Sequence, residues 1–273
     1  ALKDPPERIT RYEYDQSGNL TKIIDPKNNI QEFTYDLVGR LIEIKNERKN
    51  TTEFTYNKVD QLILIKDALG NITSYTYDQR GNIKEITDAN NNKTTYDYDL
   101  LDRLIKIKNS LNNIIEYSYD NANNLISIKD ALGNLTSYEY TKTNHLSKIT
   151  DSEGNITRYE YDPIGNLTKI IDPEGNQTQY AYNKTSNLIK VIDSQGNTTQ
   201  YDYDPLSNLL SINDANNHKR SYTYDKINRL NEIKDPLGNK TAYNYSCCYL
   251  TSRKDANNNL TSYSYDKGEL KEI

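Results

Sequence analysis

The sequence predicts an all-β fold in which tandem 21-residue β-hairpins form one continuous antiparallel sheet that coils into a spiral, a hollow shell or a tube. Three observations lead there. Tyrosines recur at a fixed period along the chain, apolar and polar residues alternate within each period, and each period holds two clusters of turn-forming residues.

Internal repeats are the first signal to look for. Tyr14, Tyr35, Tyr56, Tyr77, Tyr98, Tyr119, Tyr140, Tyr161, Tyr182, Tyr203, Tyr224 and Tyr245 follow one another at intervals of 21 residues, and Tyr265 follows after 20. Two residues ahead of each stands a second aromatic: Tyr12, Phe33, Phe54, Tyr75, Tyr96, Tyr117, Tyr138, Tyr159, Tyr180, Tyr201, Tyr222, Tyr243 and Tyr263. The two columns use both phenylalanines and all but one of the 25 tyrosines, leaving Tyr249 outside. Aromatic placement is therefore set by the repeat, and these residues are read as structural.

The first element of a unit is a strand. In Thr157-Arg158-Tyr159-Glu160-Tyr161 the apolar face alternates with charge, the period of a half-buried strand, in residue types that suit a pleated surface. A turn follows, as in Tyr77-Asp78-Gln79-Arg80-Gly81-Asn82, rich in residues that accept positive φ or bond back to their own backbone. The second strand carries Leu or Ile six residues after the main Tyr (Leu20, Leu41, Leu62, Ile83) and Ile or Val nine after it (Ile23, Ile44, Ile65, Val191). An odd separation of three puts these on opposite faces of a regular strand, so the Leu is expected in the turn or at a bulge, tucked under the sheet. A second turn, such as Asp130-Ala131-Leu132-Gly133-Asn134, closes the unit. No stretch keeps an apolar period near 3.6, so helices are not expected.

Thirteen such units, about 26 strands, account for residues 1–273 as a single array without a linker. The chain enters at Leu2-Lys3-Asp4-Pro5 and leaves at Leu270-Lys271-Glu272-Ile273 at about the same phase of the repeat, with no distinctive cap. Repeat arrays normally protect their terminal faces, so the expectation is either a segment of a longer array or copies that meet head to tail. An open sheet of that many strands curls or splits, and a curled sheet with its tyrosine face turned one way would shield the phenol rows.

Composition narrows the function classes. Only 34% of the 273 residues are hydrophobic, 34 basic face 39 acidic residues for a net charge of −5, and the mean hydropathy is −0.93. No apolar run approaches the roughly 20 residues of a membrane span, and no basic face suggests nucleic acid. Two adjacent cysteines, Cys247 and Cys248, cannot make a disulfide framework. They sit where the repeat has lost one residue, and are read as free thiols or a strained vicinal disulfide. His145 and His218 lie in different units without a ligand partner, so no metal site, cofactor or catalytic residue is expected. The aspartates recur in register (Asp15, Asp36, Asp78; Asp25, Asp67, Asp88), which fits turn capping better than calcium or a catalytic carboxylate pair. Sequons such as Asn71-Ile72-Thr73 and Asn155-Ile156-Thr157 are by-products of the repeat, while richness in Asn, Lys and Ile points to an AT-rich, bacterial or archaeal coding sequence.

The phrase Arg158-Tyr159-Glu160-Tyr161-Asp162-Pro163-Ile164-Gly165-Asn166-Leu167-Thr168 and its copies resemble the Tyr-Asp (YD) repeat of Rhs proteins, insecticidal toxin-complex shells, wall-associated proteins and teneurins. The resemblance covers the whole chain. It implies a spiral β-sheet wrapped into a hollow cocoon that encloses a C-terminal toxin in bacterial members, or a cell-surface adhesion scaffold in teneurins. The conserved core segment that ends the bacterial shells has no counterpart after Asp266, so autoproteolysis, a plug and a toxin are not implied for these residues. The resulting expectation is a noncatalytic shell segment of a large secreted or surface-displayed protein. Its partners would be adjoining repeats or identical copies, an encapsulated polypeptide, or glycans. A self-assembling extracellular filament and a carbohydrate-binding adhesin are the alternatives.

Overall fold

A computed structural model describes residues 9–273. Among them are twenty-seven β-strands and no helix, β1 to β27 in chain order. Nothing among these residues is a helix long and apolar enough to cross a membrane. The entry phase read from Leu2 to Pro5 lies outside the described residues.

Two compact units are distinguished, residues 9–114 with 261–273, and residues 115–260. Both are built from the same hairpin. In the first unit β1 (Arg11–Tyr14) ends on a main tyrosine, β2 (Leu20–Ile24) opens on the aliphatic residue, and β3 (Ile30–Tyr35) begins the next repeat. In the second unit β15 (Ile156–Tyr161) and β16 (Leu167–Ile171) take the same roles. The last aromatic strand is broken at Tyr263 into β25 (Leu260–Ser262) and β26 (Ser264–Asp266), which raises the strand count by one over the expected 26 or so.

Register explains the odd spacing of the aliphatic residues. Tyr12 faces Ile23 and Glu13 faces Lys22, but Tyr14 faces Leu20, so Thr21 is an extra residue without a partner. The same slip puts Tyr159 opposite Ile170 and Tyr161 opposite Leu167. One β-bulge per hairpin therefore brings the Leu and the Ile to the tyrosine face although three positions separate them. Each bulge also bends its strand and increases the local right-handed twist.

Between repeats the ladder is shorter. β2 and β3 pair at Lys22 with Glu32, Ile23 with Gln31 and Ile24 with Ile30, and the register stops there, so Leu20 lies beyond the paired stretch. β16 pairs with the following strand in the same way, Lys169 with Gln179 through Ile171 with Gln177. Within the first unit, β27 (Glu269–Glu272) pairs with β1 through Arg11 and Glu272. Thr10 and Ile273 extend that ladder by exchanging hydrogen bonds of 3.0 and 3.1 Å. Glu272 stands two residues after Leu270 and Arg11 three before Tyr14, the positions that Lys22 and Glu32 hold relative to Leu20 and Tyr35. The register is that of any repeat-to-repeat junction.

Neither unit has a conventional core. No hydrophobic side chain among the described residues is buried, and Ser211, at 3% exposure, is the buried polar one. Within each unit the strands touch their neighbours along the sheet. The aromatic columns are thus half-buried rather than fully shielded, because rings are covered by adjacent strands in their own layer.

Candidate functional site

Three recurring constructions hold one repeat to the next, and they make the tyrosine face and its bordering turns the distinctive surface of the chain. The first is the turn itself. Asp15 accepts bonds at Oδ1 from the backbone N–H of Ser17 and Asn19, both 2.9 Å, and at Oδ2 from Asn19 Nδ2 at 3.0 Å. Gly18 N–H donates to the Asp15 carbonyl and Asp15 N–H to that of Asn19, which makes a three-residue hairpin loop with its fourth position left-handed. The second turn of the unit has the same build at Asp25, capped by Lys27, Asn29 and the Asn29 amide at 2.7 to 2.8 Å. All eleven glycines fall at positive φ; Asn28, Asp60 and Ser186 supply the same conformation elsewhere. The aspartates of both columns are accordingly turn caps. Bonds from the fifth-position asparagine, first its side chain and then its backbone, hold the carboxyls of Asp15, Asp67, Asp88 and Asp151 below the ordinary carboxylate range.

The second construction is a latch from the main tyrosine. The Tyr35 hydroxyl donates to the Leu20 carbonyl at 3.0 Å, that of Tyr56 to Leu41 at 2.9 Å, and that of Tyr98 to Ile83 at 2.9 Å. Tyr140, Tyr161, Tyr224 and Tyr245 repeat it in the second unit at 2.8 to 3.0 Å. Each accepting carbonyl belongs to the residue at the bulge, beyond the end of the inter-repeat ladder, so the phenol occupies an acceptor that the sheet leaves open. Burial raises the pKa of Tyr98, Tyr140, Tyr161 and Tyr224 above the ordinary phenol value. Sequence reasoning missed the latch, though a trace is present: both phenylalanines stand in the first aromatic column, and the main column is tyrosine throughout.

The third construction runs along the border formed by the Tyr-Asp turns. In most of these turns the fifth residue reaches about one repeat forward: Asn82 Nδ2 to Asp102 Oδ1 at 2.9 Å, Asn187 Nδ2 to Ser207 Oγ at 2.8 Å, Asn208 Nδ2 to Asn228 Oδ1 at 3.2 Å. Where this residue is larger it also covers the next main tyrosine. The Arg40 guanidinium lies 4.9 Å from the Tyr56 ring centre and that of Arg229 4.4 Å from Tyr245, while the His145 ring stacks on Tyr161 at 4.8 Å. An open cleft of about 640 Å³ adjoins His145, between Thr143 and Ile164. His218 takes the asparagine's place in the other turn, its Nδ1 3.1 Å from Asp214 Oδ2. Both histidines therefore sit at a fifth position, a correspondence the sequence reading did not use.

Cys247 and Cys248 are exposed free thiols with their sulfurs 3.1 Å apart. Among the described residues no group of three or more His, Cys, Asp or Glu is placed to hold a metal ion. The capping carboxylates recur as equivalents with both oxygens engaged, which is the construction of a turn.

Comparison with known proteins agrees with this architecture. The teneurin YD-shell family model matches residues 5–172, and the RHS repeat model matches residues 161–198, 182–219 and 203–240. No curated protein matches the chain. Similar solved structures include the crystal structure of TcdB2-TccC3-TEV, with 17% identity and a TM-score of 0.53 over 100% of this chain and 19% of that one. The TcdB2-TccC3-Cdc42 structure gives 16% identity and 0.52 over 98% of this chain and 19% of that one. TcdB2-TccC3 without its hypervariable C-terminal region gives 18% and 0.52 over 98% and 17%. The chain spans less than a fifth of the length of these proteins, and at such identity the likeness is one of fold. With the repeat phrase, the bulged hairpins and a family match over more than half its length, the chain belongs to the teneurin YD-shell family.

Proposed function

We propose that this chain is a noncatalytic wall segment of a larger secreted or surface-displayed shell, whose role is to enclose or display another polypeptide. The observation that carries this reading is the uniformity of the junctions. The tyrosine latch, the capped turns and the forward-reaching fifth residue recur in most repeats, and among the described residues no repeat concentrates the chemistry a catalyst needs. The shell structures that share the fold support it by analogy. The test fuses a flexible, protease-sensitive polypeptide after Ile273 and compares its digestion with that of the same polypeptide free in solution. Slower digestion in the fusion is expected; equal rates refute enclosure, while a β-sheet circular dichroism spectrum reports separately on the wall.

A second reading, head-to-tail assembly of identical copies, is favoured by the seam between β27 and β1. It has the register of an internal junction, so opening this seam would free two edges that suit an intermolecular pairing. Light scattering across a hundredfold range of concentration tests it: growth of the particle is expected, and a constant monomer mass refutes it. Carbohydrate binding by the tyrosines has less support, since most main-column hydroxyls among the described residues are committed to backbone carbonyls.

A further inference from the structure

The turn at residues 246–249 departs from the others that follow a main tyrosine. After the first eleven main tyrosines the fourth position takes positive φ, as at Gly18, Asp60, Asn123, Gly165 and Ser207, whereas no residue from 246 to 249 does. The capping aspartate is replaced by Ser246, whose Oγ accepts from Tyr249 N–H at a long 3.3 Å. The turn is one residue shorter and closes by Ser246 N–H donating to the Tyr249 carbonyl at 2.9 Å. Local turn chemistry specifies this loop weakly. What holds it is Arg229, which donates from Nη1 to the carbonyls of Ser246 at 2.8 Å and Cys247 at 3.2 Å while lying over the Tyr245 ring. In this deformable loop stand the two cysteines of the chain, both exposed, their sulfurs 3.1 Å apart.

We propose that Cys247 and Cys248 form a reversible redox site, a vicinal dithiol that small-molecule disulfides of the oxidised-glutathione class convert to a disulfide inside the turn. One cysteine thiolate attacks the glutathione disulfide, forming a mixed disulfide and expelling a first glutathione thiolate. The neighbouring thiolate then attacks the protein sulfur of that mixed disulfide, forming the Cys247–Cys248 bond and expelling the second. The protein gives up two protons and two electrons, and the oxidised glutathione leaves as two thiols.

Reversibility follows from covalent geometry. Adjacent Cα atoms are about 3.8 Å apart across a trans peptide, short of the roughly 4.4–6.8 Å that a relaxed disulfide spans. A bond closed here is strained, and strained disulfides are oxidising and readily reduced. The peptide between the two cysteines becomes part of the small ring, and its carbonyl is one of the two that Arg229 holds. Oxidation therefore loosens the Arg229 clamp and the start of β24 (Leu250–Lys254).

The test treats the full chain with oxidised glutathione and reads its intact mass, with C247S and C248S in parallel. The wild type is expected to lose the mass of two hydrogens, to resist alkylation at both cysteines, and to recover both thiols with dithiothreitol. Each single variant is expected to carry one glutathione adduct instead. Persistent adducts on both wild-type cysteines, or covalent dimers alone, overturn the proposal. Amide exchange in β24 should speed up about tenfold on oxidation, the loss expected for one hydrogen bond to a charged group; unchanged exchange overturns the link to Arg229.

Discussion

If the main tyrosines act through their hydroxyls, removing one oxygen atom should separate two aromatic columns that look alike in composition. Changing Tyr140, Tyr161, Tyr224 and Tyr245 to Phe removes latches of 2.8 to 3.0 Å and leaves the ring and its half-buried contacts in place. A net hydrogen bond contributes about 1 kcal/mol. Successive repeats are about 10 Å apart at two strands each, far enough for the effects to add, so the fourfold variant should lose about 4 kcal/mol. For a chain of this size that corresponds to a fall in Tm of about 10 °C, with the urea midpoint shifted and its slope kept. The control changes Tyr138, Tyr159, Tyr222 and Tyr243, whose hydroxyls make no such bond among the described residues, and the sequence already places Phe33 and Phe54 in that column. The control should lose less than about 1 kcal/mol in total, within the range of ordinary surface changes. Equal losses from the two sets would refute the latch.

Three further outcomes are expected. The capping aspartates have folded-state pKa values below their ordinary 3.8, so their contribution is complete above that value and is lost as pH falls through the lowered ones; thermal melts should be flat from about pH 5 to 8 and decline below about pH 4. Asp151→Asn should shrink that acid decline, as the caps at Asn46 and Asn183 already work without a charge. Gly165→Ala should cost more than Gly196→Ala: both residues sit at positive φ, worth about 1–2 kcal/mol, but a Cβ at 165 would lie 2.9 Å from the His145 ring while the one at 196 meets open space. Adding His145→Ala should narrow the difference between the two melting temperatures.

Much of the fold was legible because the repeat samples each position about thirteen times. Alternation around Tyr159 and Tyr161 marked the strand, and the Asp-to-Asn clusters marked both turns. The separation of three between Leu20 and Ile23 announced an irregularity, and the unpaired Thr21 is its physical form. The latch was harder to read, since a phenol partner fifteen residues upstream becomes a neighbour only through inter-repeat pairing. The forward reach of the fifth residue was obscured by its varied identity, Arg40, Gln61, Asn82 and His145, which share a task but not a side-chain type. Ring burial was overestimated because alternation indicates which face is apolar and leaves open whether another layer lies upon it.

Because every junction has one register, the array has a natural unit of growth. Excising residues 155–175, a whole period, rejoins edges of the same phase and should leave a β-sheet spectrum nearly intact, whereas deleting the single residue Arg158 within β15 puts the residues on either side of it out of phase, with their side chains on the wrong faces, and should weaken it. Genes encoding such a chain can change copy number by unequal crossing-over without inventing a new contact. Overall dimensions then become a countable trait, adjustable in steps of one hairpin.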